Sequence, residues 1–106
     1  MPFEPLIALC RCRVNGGTFV EHNGRELAVF LLNTPPEVFV IDNTCPHAGG
    51  NLSGGEVADH VVTCPWHSWP FDLRTGVCVH SSQARVRGYP ADIRDDMVWV
   101  DLDSEG

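Results

Sequence analysis

Cys45-Pro46-His47 and, sixteen residues further on, Cys64-Pro65-Trp66-His67 form the stretch around which this chain is organised. Each clip ends in a histidine, and no cysteine lies between the two. Two thiolates and two imidazoles at this spacing can close a metal site. A structural zinc ion would take all four tetrahedrally, but zinc fingers usually pair Cys with Cys and His with His. Here each clip holds one of each. A catalytic zinc keeps one position open, which four good ligands do not. A two-iron, two-sulfide cluster is the third reading: two cysteines hold one iron and two histidines the other. It accounts for the mixed order, because each loop must then reach both irons. Cys45 and Cys64 would converge on the inner iron, and His47 and His67, further along each clip, on the outer one.

Working outward, the chain reads as short strands and turns. Val38 to Asp42 is a compact β-type run that delivers the chain into the first clip. Residues 45–55 are rich in Gly, Pro, Asn and Ser, which is loop composition. Glu56-Val57 and Val61-Val62-Thr63 flank Asp59-His60, the signature of a tight hairpin before the second clip. Phe71-Asp72-Leu73, Arg74-Thr75-Gly76 and Val77-Cys78-Val79 read as strand, turn, strand. Upstream, Leu6 to Val14 alternates, predicting a strand with Cys10 and Cys12 buried on one face. Gly16-Gly17 reads as a break. Thr18–His22 and Arg25–Leu32 are strands joined by the strong hairpin signal Asn23-Gly24. Thr34-Pro35-Pro36 turns the chain. Gln83 to Arg87 crosses back to the first sheet, and Gly88–Arg94 with Met97–Leu102 forms a last hairpin about Asp95-Asp96. No repeat or amphipathic helix interrupts this pattern, so the class is all-β, a sandwich or barrel.

Composition narrows the setting. A chain of 106 residues makes one modest domain, of a size that often leans on a metal. The formal charge is −7 and every basic residue is arginine. That argues against nucleic acid or an anionic membrane as partner and is compatible either with docking to a basic protein surface or with solubility alone. No apolar run approaches a membrane span, and residues 1–5 do not start a signal peptide, so a cytoplasmic setting is expected. Five cysteines, an odd count, speak for metal or thiols rather than a disulfide framework. Cys78 alternates with Val77 and Val79 as a structural residue. His22, His60 and His80 lack partners at ligand spacing and are expected at the surface or in turns.

The two clips and their flanks resemble the Rieske iron–sulfur motif: Cys45-Pro46-His47-Ala48-Gly49-Gly50, then Cys64-Pro65-Trp66-His67-Ser68-Trp69-Pro70-Phe71-Asp72. The resemblance implies an antiparallel three-layer β sandwich of Rieske type and one [2Fe-2S] cluster per chain. It makes residues 1–106 a single domain, with a cluster-binding subdomain over roughly 43–80 and a basal part of 1–42 and 81–106. It implies a one-electron carrier, not catalytic alone, between a reductase and a terminal oxygenase. The alternative is the small subunit of an NAD(P)H-dependent nitrite reductase, passing electrons to its large subunit. A zinc-stabilised interaction module is the rival from another class. No nicotinamide motif, mononuclear iron triad or flavin site accompanies the clips.

Two imidazoles in place of two thiolates remove two negative charges, so the cluster accepts an electron readily, at potentials from ~−150 mV upward. High-potential members of the family carry Ser and Tyr two and four positions after the second histidine, and an extra cysteine in each clip. Trp69 and Phe71 offer no hydroxyl, and Gly49, Gly50 and Trp66 offer no thiol. The low-potential type is therefore expected. Ser68 stands where the family usually has Gly, and a left-handed backbone there would strain it. Trp66, Trp69 and Phe71 either shield the cluster by packing or form an apolar rim for a partner. Pro46, Pro65 and Pro70 stiffen the ligand loops. The purified protein is expected to be red-brown, with a rhombic EPR signal of low average g on reduction. A colourless protein with one tightly held zinc would exclude the cluster.

Overall fold

The run Leu27-Ala28-Val29-Phe30-Leu31-Leu32 is buried throughout. Successive side chains of a strand face opposite sides, so a strand buried at every position needs apolar cover on both faces. That strand, β3 (Arg25–Asn33), sits in the middle layer of three. The computed structural model describes residues 3–33, 36–45, 50–66, 68–81 and 83–103. The other strands are β1 (Glu4–Ala8), β2 (Gly16–His22), β4 (Pro36–Asp42), β5 (Glu56–Ala58), β6 (Val61–Thr63), β7 (Pro70–Asp72), β8 (Gly88–Tyr89), β9 (Ala91–Arg94) and β10 (Met97–Val100).

They form three antiparallel sheets: β2-β3-β4-β8 in the centre, β1-β10-β9 on one side and β5-β6-β7 on the other. Ala28 and Phe30 meet Ile41, Val62, Phe71 and Val86 in the core facing the small β5-β6-β7 sheet. Leu27, Val29 and Leu31 meet Val40, Val98 and Val100 in the core facing β1-β10-β9. Each fully buried Val, Leu or Phe side chain contributes ~1.5–3 kcal/mol relative to exposure. The expected three-layer antiparallel class is therefore what the chain adopts. No helix among the described residues is long and apolar enough to cross a membrane.

Three two-residue turns set the hairpin registers. Asn23 and Gly24, Asp59 and His60, and Asp95 and Asp96 all have positive φ, between 48° and 78°. Two left-handed residues in succession match the right-handed twist of the flanking strands.

Three expectations need correction. The alternating run from Leu6 does not continue to Val14. β1 stops at Ala8, opposite Met97, where its partner β10 begins. The Leu9 N–H turns to the Asp96 carbonyl at 3.0 Å and Leu9–Arg11 coils into a 3-10 turn. Cys10 is thereby exposed while Cys12 is buried, so the two do not share a face. Next, Gly88–Arg94 is not one strand. Pro90 has no N–H to continue a ladder, and the chain changes sheet there, β8 pairing with β4 and β9 with β10. Finally, Gly16-Gly17 is no break but the start of β2, paired with Leu31 and Phe30. A methyl group on Gly17 would lie 2.5 Å from the Ser53 carbonyl oxygen and 2.8 Å from the Phe30 ring. The glycine is there because the 3-10 turn Leu52–Gly54 crosses β2 at this point. Of the expected turn 34–36, residues 34 and 35 lie outside the described residues, and Pro36 opens β4.

Gly17→Ala should therefore lower unfolding free energy by about 1–3 kcal/mol, the usual penalty for overfilling a packed site. Urea unfolding of the metal-free protein measures it.

Candidate metal centre

Asp42 ends β4, and its N–H still reaches the Arg87 carbonyl at 2.9 Å. One residue on, Asn43 donates its N–H to Glu26 O at 3.0 Å, extending the β3–β4 ladder by a step. Beyond this the chain leaves the central sheet. Thr44 forms an isolated antiparallel bridge with Asn51, and Cys45 N–H bonds Gly50 O at 2.8 Å, closing the first clip. The Leu52 N–H returns to Asn43 O at 2.7 Å. The first clip is thus a loop that leaves the central sheet and heads for β5 in the small one.

The second clip is carried differently. Cys64 follows β6 directly, and Pro70 opens β7, so residues 64–69 are the loop of one hairpin. The Cys64 N–H bonds Trp69 O at 2.9 Å, and the Ser68 N–H bonds Cys64 O at 3.0 Å. Each clip is therefore closed by one bond from its cysteine N–H to the carbonyl five residues later.

The clips meet at Gly50. A methyl group there would lie 3.0 Å from Cys64 Sγ and 3.0 Å from Cγ of the Trp66 indole. The closing residue of the first clip thus rests on the cysteine of the second. Cys45 and Cys64 are each only 1% exposed and belong to the same core, between the central and the small sheet. Two thiols held at the edge of one dry core by two closed loops suit the thiolate half of an iron–sulfur site. Pro46, His47, Ala48, Gly49 and His67 lie outside the described residues, and with them both candidate imidazole ligands.

The three aromatic residues of the second clip have separate fates. Phe71 is wholly buried in the core beside Cys64, Trp69 packs against that core, and Trp66 is 63% exposed. Shielding describes the first two and a surface rim the third. Ser68 has φ of 58°, the left-handed conformation expected of a glycine. After β7, Asp72 accepts the Arg74 N–H at 2.8 Å and pairs with its guanidinium at 3.0 Å. The Arg74 side-chain hydrogen bond, the largest influence, holds this carboxyl below its ordinary range.

The remaining cysteines and histidines form no second centre among the described residues. Cys78 is buried opposite Phe71, as a core residue should be. His22 lies 3.5 Å from Glu4, His60 Nε2 lies 2.9 Å from Glu37 Oε1 in the β5–β6 turn, and His80 is exposed. Asn43 is a site residue that the sequence reading does not single out; its signal is its place, an Asn two residues before a ligand-type cysteine, where a carboxamide can bond the backbone of a loop.

Known proteins agree with this geometry. A family profile described as Rieske [2Fe-2S] domain matches residues 9–90. Cholesterol 7-desaturase of Drosophila melanogaster is 42% identical over 64 residues, 59% of this chain and 15% of that protein. The ferredoxin component of the p-cumate 2,3-dioxygenase system of Pseudomonas putida is 32% identical over 82 residues, 76% of this chain and 68% of that one. A solved Mycobacterium tuberculosis protein, provisionally designated the small subunit of an NADH-dependent nitrite reductase, superposes with a TM-score of 0.84. It is 25% identical, with 92% of each chain covered. The chain thus spans a small part of the desaturase and more than two thirds of the other two.

Relieving the left-handed Ser68 should help the fold. Ser68→Gly is expected to raise unfolding free energy by about 0.5–1 kcal/mol, the αL penalty less the entropy glycine loses. Equilibrium unfolding of the metal-free chain is the measurement.

Proposed function

Because the chain belongs to the Rieske [2Fe-2S] domain family, we propose that it is a one-electron carrier between a reductase and a terminal oxygenase. The observation that carries this reading is the meeting of the two clips at Gly50, with both cysteines buried in one core. When bound, the cluster supplies a centre that gains and loses a single electron. In this reading Cys45 and Cys64 would hold one iron through their thiolates, and His47 and His67 would hold the other through imidazole nitrogens. Burial of the two cysteines keeps water from the sulfur side. The loop-closing bonds from Cys45 and Cys64 N–H keep the clips in place while the charge on the site changes. Trp69 and Phe71 supply no hydroxyl to it, which supports the low-potential type.

Residues 43–80 contain both clips and the whole small sheet, which supports taking them as the cluster-binding subdomain and 1–42 with 81–106 as its base. The chain has no substrate chemistry of its own in this reading, acts in the cytoplasm and docks through a negatively charged surface on a basic partner. The p-cumate ferredoxin component, covered over 68% of its length, supports an oxygenase as acceptor. The likeness to the M. tuberculosis protein supports the second reading, a nitrite reductase large subunit in that place.

Reductive titration should take up one electron per chain. Pre-reduced protein should then be reoxidised faster by a ring-hydroxylating oxygenase than by a nitrite reductase large subunit; the reverse order would favour the second reading. His67→Cys adds a negative ligand and should lower the potential or block cluster assembly. An unchanged potential and spectrum would remove His67 from the ligand set.

A further inference from the structure

Asn43 is 1% exposed, and every polar group it carries is engaged. Its backbone N–H bonds Glu26 O at 3.0 Å, and its carbonyl accepts the Leu52 N–H at 2.7 Å. Its Oδ1 accepts the Ser53 N–H at 2.9 Å, and its Nδ2 donates to Asn51 Oδ1 at 3.0 Å. The Ser53 N–H can only donate, which fixes which end of the carboxamide is oxygen. These bonds join residue 43, on the near side of the first clip, to residues 51, 52 and 53 on its far side.

The two clips need different supports. The second is the loop of the β6–β7 hairpin, and the ladder from Val61↔Asp72 to Thr63↔Pro70 holds its two ends. The first joins β4 of the central sheet to β5 of the small one, two strands that share no ladder. Among the described residues its two arms pair through the single Thr44↔Asn51 bridge and the two backbone bonds that flank it, Cys45 N–H to Gly50 O and Leu52 N–H to Asn43 O. A side chain offering both a donor and an acceptor adds two bonds where this short pairing ends. It is anchored from behind, because Ser53 lies against Gly17 of β2. A hydrophobic side chain at 43 would leave the partly buried Ser53 N–H without this partner.

We propose that Asn43 is a positioning residue for the cluster: its carboxamide, bonded to Ser53 and Asn51, sets the first clip and through it the Cys45 thiolate. This rests on the electron-carrier reading of the same site. The role is distinct from general packing, because the bonds span the clip rather than fill the core.

The test compares cluster-loaded Asn43→Ala with Val98→Ala, a truncation in the core on the opposite face of the central sheet. Cluster loss to an iron chelator, the EPR g values and urea unfolding of the metal-free forms are read for both. Asn43→Ala should speed cluster loss about 10–100-fold, the range for groups that orient metal ligands, and shift the g values. Val98→Ala should lower the unfolding midpoint and leave both cluster readouts as in the wild type. Equal cluster effects in the two variants, or wild-type cluster behaviour in Asn43→Ala, would reduce Asn43 to a packing residue and overturn the proposal. Where Asn43→Ala does not fold, Asn51→Ala decides, since Asn51 is exposed and supplies one of the two bonds. A smaller change in the same direction supports the role, and wild-type cluster behaviour overturns it. A wild-type chain that takes up no [2Fe-2S] cluster would overturn the carrier reading and this inference together. A stable wild-type cluster indifferent to residue 43 would overturn this inference alone.

Discussion

Leu27, Ala28, Val29 and Phe30 are consecutive and all wholly buried, so β3 cannot exist with one face in water. Covering one face calls for β1, β9 and β10. Covering the other calls for the small sheet, and that sheet is too short to do so alone. Its strands have three residues each, and Leu52, Cys45, Cys64 and Cys78 complete the layer. The two candidate sulfur ligands are therefore part of the hydrophobic closure of β3. The candidate ligand set and the core thus share side chains, which suits a chain of this size.

The clips were legible because their chemistry is local: the order of Cys and His within three or four residues carries the reading. The turns at Asn23-Gly24 and Asp59-His60 were legible for the same reason, since a positive-φ pair between β-rich runs permits few alternatives. What depended on a distant neighbour was not legible. Gly17 is a strand residue because it pairs with Phe30, and it is a glycine because Ser53, far away in sequence, passes over it. Cys10 and Cys12 diverge because β10 begins at Met97 and gives β1 nothing further to pair with. Gly88–Arg94 read as one strand, and that the chain changes sheets at Pro90 follows from where β4 and β10 lie. Asn43 is the same case within the site, its bonds being visible only once residues 51–53 have folded back. His47 and His67 rest on the sequence alone, because both lie outside the described residues.

Trp66, Trp69 and Phe71 look interchangeable as aromatic residues near a ligand loop, yet backbone placement separates them. Phe71 is in the middle of β7 with its side chain in the core, and Trp69 supplies the carbonyl that closes the second clip. Trp66 touches Gly50 on one side and is otherwise open. Among its described residues the second clip thus presents an exposed indole, in a protein whose charge is −7. A protein partner approaching there meets an indole at the joint of both clips.

Of the five cysteines, four are buried and one, Cys10, is exposed. Cys10 lies in the 3-10 turn Leu9–Arg11, where Leu9 packs against the core on the β1-β10-β9 side. The clips lie on the other side of the central sheet. A dye, spin label or gold surface directed at thiols thus has one handle, behind the molecule as seen from the clips. Tethered there, the chain would be immobilised with its two clips pointing away from the support.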